Sequence, residues 1–305
     1  MATAQTKETP LATTTFTILN GSVVNERFKV RHFAGEWNGE KCFYATDLID
    51  NEEVMLKVFC SNDTRIEAHL QFFTECAGIK GIPNLVSRFT LLDHEVLAHH
   101  HKGVRFGRIL DAGFFKITMH NTIRLGTRLL RILHAMHMKG FVHRDVKPLS
   151  VMCHIDDSGE LQVGLSYFAH TERIDSPPTS NPSYQGPYQS LHVTRGGAYS
   201  RVDEYISVII LMMASQMVRP FDYNVNNHLS HSRKKEVFHE NPYDSLTEDT
   251  MWLGDMYLML EEMRTSNSFR HLEIVCAMSR ALPGFDANTP ITYHYDQHNG
   301  HLLID

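Results

Sequence analysis

Three stretches of this 305-residue chain concentrate side chains able to do chemistry. The run Gly140-Phe-Val-His-Arg-Asp-Val-Lys-Pro-Leu-Ser150 sets an imidazole, a guanidinium, the carboxylate of Asp145, the ammonium of Lys147 and the hydroxyl of Ser150 in one short segment. These are groups that exchange protons and bind anions. The triplet His99-His-His101, in a chain with 20 histidines, invites a metal-site reading. Against it, successive residues of an extended segment alternate in direction and cannot all face one ion, and no cysteine or carboxylate stands at ligand spacing. No metal site is expected. The third stretch, Ser176-Pro-Pro-Thr-Ser-Asn-Pro-Ser-Tyr184, has no helix or strand period and reads as an ordinary long loop whose hydroxyls would make it a phosphorylation target.

The elements that must position these groups divide the chain in two. Residues 1 to about 24 read as a flexible polar tail. Strand-like alternation then occupies 28–33, 41–46 and 53–59, with Asp50-Asn51 turning between the last two, and a helix over 64–77 turns Ile66, Leu70 and Phe73 to one face. Strands near 85–92 and 95–99 complete a five-stranded sheet with one helix. After Gly103 the pattern is helical: 122–139, capped by Gly140, then 201–217, 247–264 and 269–281, with a hairpin turning at Asp156-Asp-Ser-Gly159. The almost wholly apolar 201–217 helix must be buried on all sides. The expected class is α+β.

Composition narrows the functional classes. At 42% hydrophobic and 21% charged the chain is ordinary globular material, and a net charge of −6 argues against a general nucleic-acid or membrane-surface binder. Five widely spaced cysteines suit buried thiols in a reducing compartment, and no apolar segment is long enough to span a bilayer. An intracellular protein of the cytoplasm or nucleus is expected.

The Gly140–Ser150 run, with the preceding Ala135-Met-His-Met-Lys139, resembles the catalytic loop of a eukaryotic protein kinase, most closely the casein kinase 1 group and within it the tau-tubulin kinase type. Gly81-Ile-Pro83 and Tyr188-Gln-Ser-Leu-His192 fall where that group carries related motifs. The resemblance covers roughly residues 25–290. It implies a bilobal fold with a sheet-rich N-lobe at 25–101 and a mainly helical C-lobe at 102–305, hinged near 100–104. It makes Asp145 the base that accepts the substrate hydroxyl proton and Lys147 a phosphate contact. Lys57 matches the strand lysine that holds the α- and β-phosphates, and Met55 the residue that packs on adenine. Asp203 is placed on the buried aspartate of the helix after the activation segment, and His137 on a structural histidine.

The departures from the family pattern are concerted. Ser150 stands where an asparagine holds magnesium. The Asp-Phe-Gly region falls on Ser166-Tyr-Phe168 in one register and Leu165-Ser-Tyr167 in another, neither with an aspartate. Only Gly35 and Gly39 remain of the glycine-rich loop, and Glu36, Trp37 and Glu40 bring bulk and negative charge there. His69 occupies the position of the helix glutamate, so Lys57 is expected to lack its usual partner. The reading that follows is a casein kinase 1-like pseudokinase, without ATP or Mg²⁺, that binds proteins as a scaffold or regulator. Its basic residues Arg173, Arg195 and Arg201 would favour acidic or phosphorylated segments. The alternatives are a weak serine/threonine kinase that uses ATP and Mg²⁺, and a nucleotide-binding switch that does not hydrolyse.

Overall fold

The computed structural model describes residues 17–37, 39–60, 63–113, 116–175, 186–221, 230–282, 284–296 and 300–305. The first part is an antiparallel sheet built from β1 (Val23–Val24), β2 (Phe28–Trp37), β3 (Glu40–Asp47) and β4 (Glu53–Cys60). Helix α1 (Arg65–Glu75) then packs Ile66 on Phe59 and Leu97 before β5 (Leu85–Leu91) and β6 (His94–His100) complete the sheet in the order β1-β2-β3-β4-β6-β5. The sheet therefore has six strands rather than the expected five. The extra strand comes from the supposed tail: Val23 and Val24 pair with β2, and Ile18 and Val24 are buried against Phe28 and Val30. Two apolar side chains at a sheet edge were enough to order polar surroundings. Residues 1–16 of that expected tail lie outside the described residues.

Strand alternation decides which side chains meet across the sheet. Val54, Leu56 and Val58 of β4 join Phe43, Ala45, Val96 and Ala98 in one apolar layer. Residues of the opposite parity, Met55 and Lys57, look the other way, with Cys42 and Leu97 in register beside Lys57, and Tyr44 and His99 beside Met55. The β2–β3 ladder continues to the pair Trp37↔Glu40, so two residues make the connection. Gly35 and Gly39 have φ of 141° and 77°, and Gly35 follows a register shift in β2. Their backbone freedom serves a bulged strand and a tight hairpin.

The rest is mainly helical. After β7 (Val104–Arg105) come α2 (Phe106–Ala112) and α3 (Met119–Met138), ended by Gly140 at φ 83°. Next are β8 (Phe141–Val142), β9 (Val151–Ile155), β10 (Leu161–Leu165) and β11 (Glu172–Arg173), with β9 and β10 joined by the expected Asp156–Gly159 turn. The helices α4 (Leu191–Thr194), α5 (Arg201–Ser215), α6 (His231–Glu240), α7 (Met251–Thr265) and α8 (His271–Arg280) follow, then the hairpin of β12 (Tyr293–Tyr295) and β13 (Leu302–Ile304). Apart from Arg201, every α5 residue is buried, as its composition requires. Gly126 lets α3 approach it: a Cβ there would overlap Met212 Sδ. One core runs from Phe72 and Phe73 of α1 through α3, α5 and α7 to Ile304.

Short or mixed elements escaped the periodicity: α2, the strongly polar α6, and the terminal hairpin, which adds Leu302 and Ile304 to the core. Residues 176–185, most of the expected long loop, lie outside the described residues. Of the five cysteines, all free, Cys42, Cys76 and Cys153 are buried as expected, whereas Cys60 and Cys276 are exposed. Among the described residues no helix is long and apolar enough to cross a membrane. The class is α+β.

Candidate functional site

The loop from His143 to Ser150 is anchored at its start by a single carboxylate. Glu204, fully buried on α5, accepts hydrogen bonds from the backbone N–H groups of His143 and Arg144, and its other oxygen lies 2.6 Å from His137 Nε2. The neighbouring Asp203, marked in the sequence as the buried aspartate of this helix, is buried too but has other partners. Asp203 instead accepts from Ser190 and Ser200 and pairs with Arg264 at 2.7 Å, closing the start of α5 onto α7. On a helix one residue is a turn of about 100°, so neighbouring acids serve different partners.

Arg144 takes a left-handed φ of 67°, a costly conformation for a side chain with a Cβ. It is over-determined there: Glu204 holds its amide, Glu172 pairs with its guanidinium, and the Tyr199 ring lies 5.7 Å away. His143, buried beside Phe168, has Nε2 2.7 Å from the Ser166 carbonyl, while its Nδ1 receives the Asp145 amide. Burial holds its imidazole below the ordinary histidine range.

Asp145 and Lys147 are brought together, with Oδ2 and Nζ 2.8 Å apart and both side chains partly exposed. The carboxylate could accept a proton from a hydroxyl presented at this surface. Ser150 is committed elsewhere. Its hydroxyl donates to the Asp145 carbonyl at 2.7 Å, with the Lys147 carbonyl at 2.9 Å, and accepts from the Lys147 amide at 2.9 Å. It is fully buried and braces the loop from inside. Ser166 is tied to the same point, its amide and hydroxyl both donating to the Ser150 carbonyl at 2.8 and 3.2 Å. Tyr167 follows at φ 63°, with the Arg105 guanidinium 5.0 Å from its ring centre.

Beyond this loop, the inward side chains of the sheet surround a cavity of about 20 Å³ lined by Glu40, Cys42, Met55, Lys57, His99, His101, Ser166, Tyr167 and Ala169. That is room for about one water molecule. Lys57 does lack the helix carboxylate expected to be missing, since His69 stands there, but it finds another partner on β3. Glu40 Oε2 lies 3.2 Å from Lys57 Nζ, and Oε1 lies 3.1 Å from His69 Nε2 and 3.6 Å from Arg65. The β3–β4 register explains this, since Cys42 faces Lys57 and Glu40 sits two residues away on the same face. Glu40 and Lys57 side chains are 1% and 5% exposed, so the pair is sealed from solvent. Glu67, by contrast, points out and pairs with Arg88.

The electrostatics follow from that burial. Desolvation pushes the Glu40 carboxyl up, but Lys57 and His69 together outweigh it and hold the group down to about 2. His69 is kept below the ordinary range by burial and then by Lys57, so it is a neutral ring beside the pair. Burial drives His99 to about 3 and His101 to about 4, and lifts the Cys42 thiol to about 12. His99 stacks on Phe73 at 5.2 Å and His101 lies 5.0 Å from Tyr44. These two histidines work as neutral packing groups on one strand face.

Of the residues marked in the sequence, Met55, Lys57 and Ser166 meet in the cavity, and Asp145, Lys147 and Ser150 meet in the loop. Gly35 and Gly39 line neither. Among the described residues no group of three His, Cys, Asp or Glu side chains is placed to hold a metal. Two of the three basic residues expected to receive anions are already paired, Arg173 with Glu75 at 3.3 Å and Arg195 with Glu236 at 3.2 Å. Sequence reasoning missed Glu204, and saw Glu40 only as unwelcome charge. Compared with models of known protein families, the chain matches none of them.

Proposed function

We propose that this chain is a kinase-fold protein of the casein kinase 1 and tau-tubulin kinase type that has given up phosphoryl transfer and acts by binding other proteins, as a scaffold or regulator. The order of its elements supports the bilobal reading: a sheet crossed by one helix, then a helical body, with the His143–Ser150 loop between them. The observation that carries the loss of activity is the small space left around Lys57. In the family the strand lysine receives phosphates and the surrounding space takes adenine. Here the carboxylate beside Lys57 comes from Glu40 of the hairpin rather than from the helix, and the space measures about 20 Å³, against several hundred for a small-molecule site. ATP does not fit these residues.

Magnesium fits them no better. The Ser150 hydroxyl is spent on the loop, Ser166 stands where a carboxylate would be needed, and Glu172 is engaged by Arg144. The second reading, a weak serine/threonine kinase, draws on one observation, that Asp145 and Lys147 keep the loop geometry. Thermal-shift titration with ATP, with and without Mg²⁺, separates the readings. We expect no stabilisation, whereas a bound nucleotide at 100 times its Kd would add about 2.7 kcal/mol. Phosphate transfer to casein that disappears in Asp145→Asn would overturn the pseudokinase reading. ATP binding without transfer would favour a nucleotide switch.

A further inference from the structure

We propose that the cavity between α3, the β9–β10 hairpin and the segment around Asn288 is a docking site for an acidic, partly apolar peptide segment of a partner protein. The cavity measures about 440 Å³ and shares no lining residue with the closed cavity beneath the sheet. Its floor is apolar, formed by Ile79, Ile132 and Val163. Its rim carries Lys80, Arg128 and Arg131 against the single carboxylate of Glu160.

These three cations are gathered around one concavity, without an ion pair of their own among the described residues. Arg27, Arg65, Arg144 and Arg264 each have a carboxylate partner. Among the described residues, Lys80, Arg128 and Arg131 form no ion pair, although none is sequestered from the cavity they line. Arg128 donates to the Leu161 carbonyl and Arg131 to Asn288 Oδ1 at 3.2 Å, neutral contacts that fix direction and leave Glu160 the one carboxylate on the rim. Arg128 and Arg131 are three residues apart on α3 and share a helix face, where like charges repel. Burial, then Arg124 and Arg131, lower the Arg128 pKa, with Glu160 opposing.

A chain of net charge −6 that gathers unpaired cations around a concave apolar floor has a local field opposite to its global one. Carboxylates answer the rim, and an apolar side chain answers the floor. A naked polyphosphate would waste the floor, and a nucleic acid would meet the acidic remainder of the surface. The site deepens the protein-binding reading, and it stands whether or not the sheet-side cavity ever admits a nucleotide.

Fluorescence anisotropy tests it, using the whole chain and a short labelled peptide that alternates leucine with glutamate. Saturable binding should weaken as salt rises. It should fall by about tenfold or more both in Lys80→Glu/Arg131→Glu and with glutamine in place of the peptide's glutamates. Both substituted side chains are exposed, and an unchanged Tm verifies the fold of the variant. Equal binding of the glutamine peptide, wild-type affinity in the variant, or no saturable binding would each overturn the proposal. Tighter binding of a single-stranded oligonucleotide lost in the same variant would reassign the site to nucleic acid. None of these results alters the outcome of the ATP titration, so the two readings fail separately.

Discussion

Replacing Glu40 by glutamine keeps the side-chain volume and removes the charge that closes the sheet-side cavity. Lys57, 5% exposed, would then be buried beside a neutral amide. Two routes give its magnitude. Breaking a buried ion pair by deleting one partner costs about 3–5 kcal/mol. Seen from the carboxylate, its drop from 4.5 to about 2 corresponds to ~3 kcal/mol favouring the ionised form in the fold. We therefore expect Glu40→Gln to lose about 3 kcal/mol in urea unfolding, read from the midpoint at constant slope. For a chain of this size that lowers Tm by roughly 5 °C. The double variant Glu40→Gln/Lys57→Met should recover most of the loss, because removing both members of a buried pair is often close to neutral. A Glu40→Gln change below about 1 kcal/mol, or a double variant whose loss equals the sum of the singles, would refute the coupling.

Three further outcomes are expected. Burial holds His99 near 3 and both His101 and His271 near 4, whereas in the unfolded chain each takes up a proton around 6.5. Stability should therefore be complete above pH 6.5 and fall steadily toward pH 4, with Glu40 adding its loss below 4.5; a Tm flat from pH 7 to 5 would contradict this. Glu204→Gln should cost about 3 kcal/mol, since it weakens charge-assisted bonds to two amides, and hydrogen exchange at His143 and Arg144 should accelerate more than at the centre of α5. Gly126→Val should destabilise by about 1–3 kcal/mol by driving a side chain into Met212, while Gly126→Ala costs less because the Met212 end can move; urea unfolding measures both.

What the sequence revealed, and what it hid, follows from the range of the interactions. Periodicity located β2, β3, β4, α3 and α5, because each carries a long apolar pattern read within its own residues. It missed α6, whose polar residues bury Lys235 and Phe238 through tertiary contacts alone. It missed β1, where two valines depend on an edge supplied by β2. The loop residues Asp145, Lys147 and Ser150 were recognisable as a group because they are contiguous. Their supports were not, since Glu204 reaches them across 60 residues. Glu40 was the instructive failure. Counted as negative charge in the glycine-rich loop, it becomes the partner of Lys57 once β3 is seen to begin at Glu40, two residues before Cys42. Which face of a strand looks inward is a property of the register, and register is written in pairs of strands.

Glu204 has a consequence for how such a chain can change over time. Its two oxygens are shared among the His143 amide, the Arg144 amide and the His137 ring, so the loop and two helices depend on one acid. Substitutions that erode chemistry at Ser150 or Ser166 leave this attachment intact, whereas substitutions that free the loop endanger folding of the whole chain. Under the proposed reading, selection on stability alone would suffice to preserve a recognisable loop without turnover. The loop would then persist because of the cost of losing its anchor.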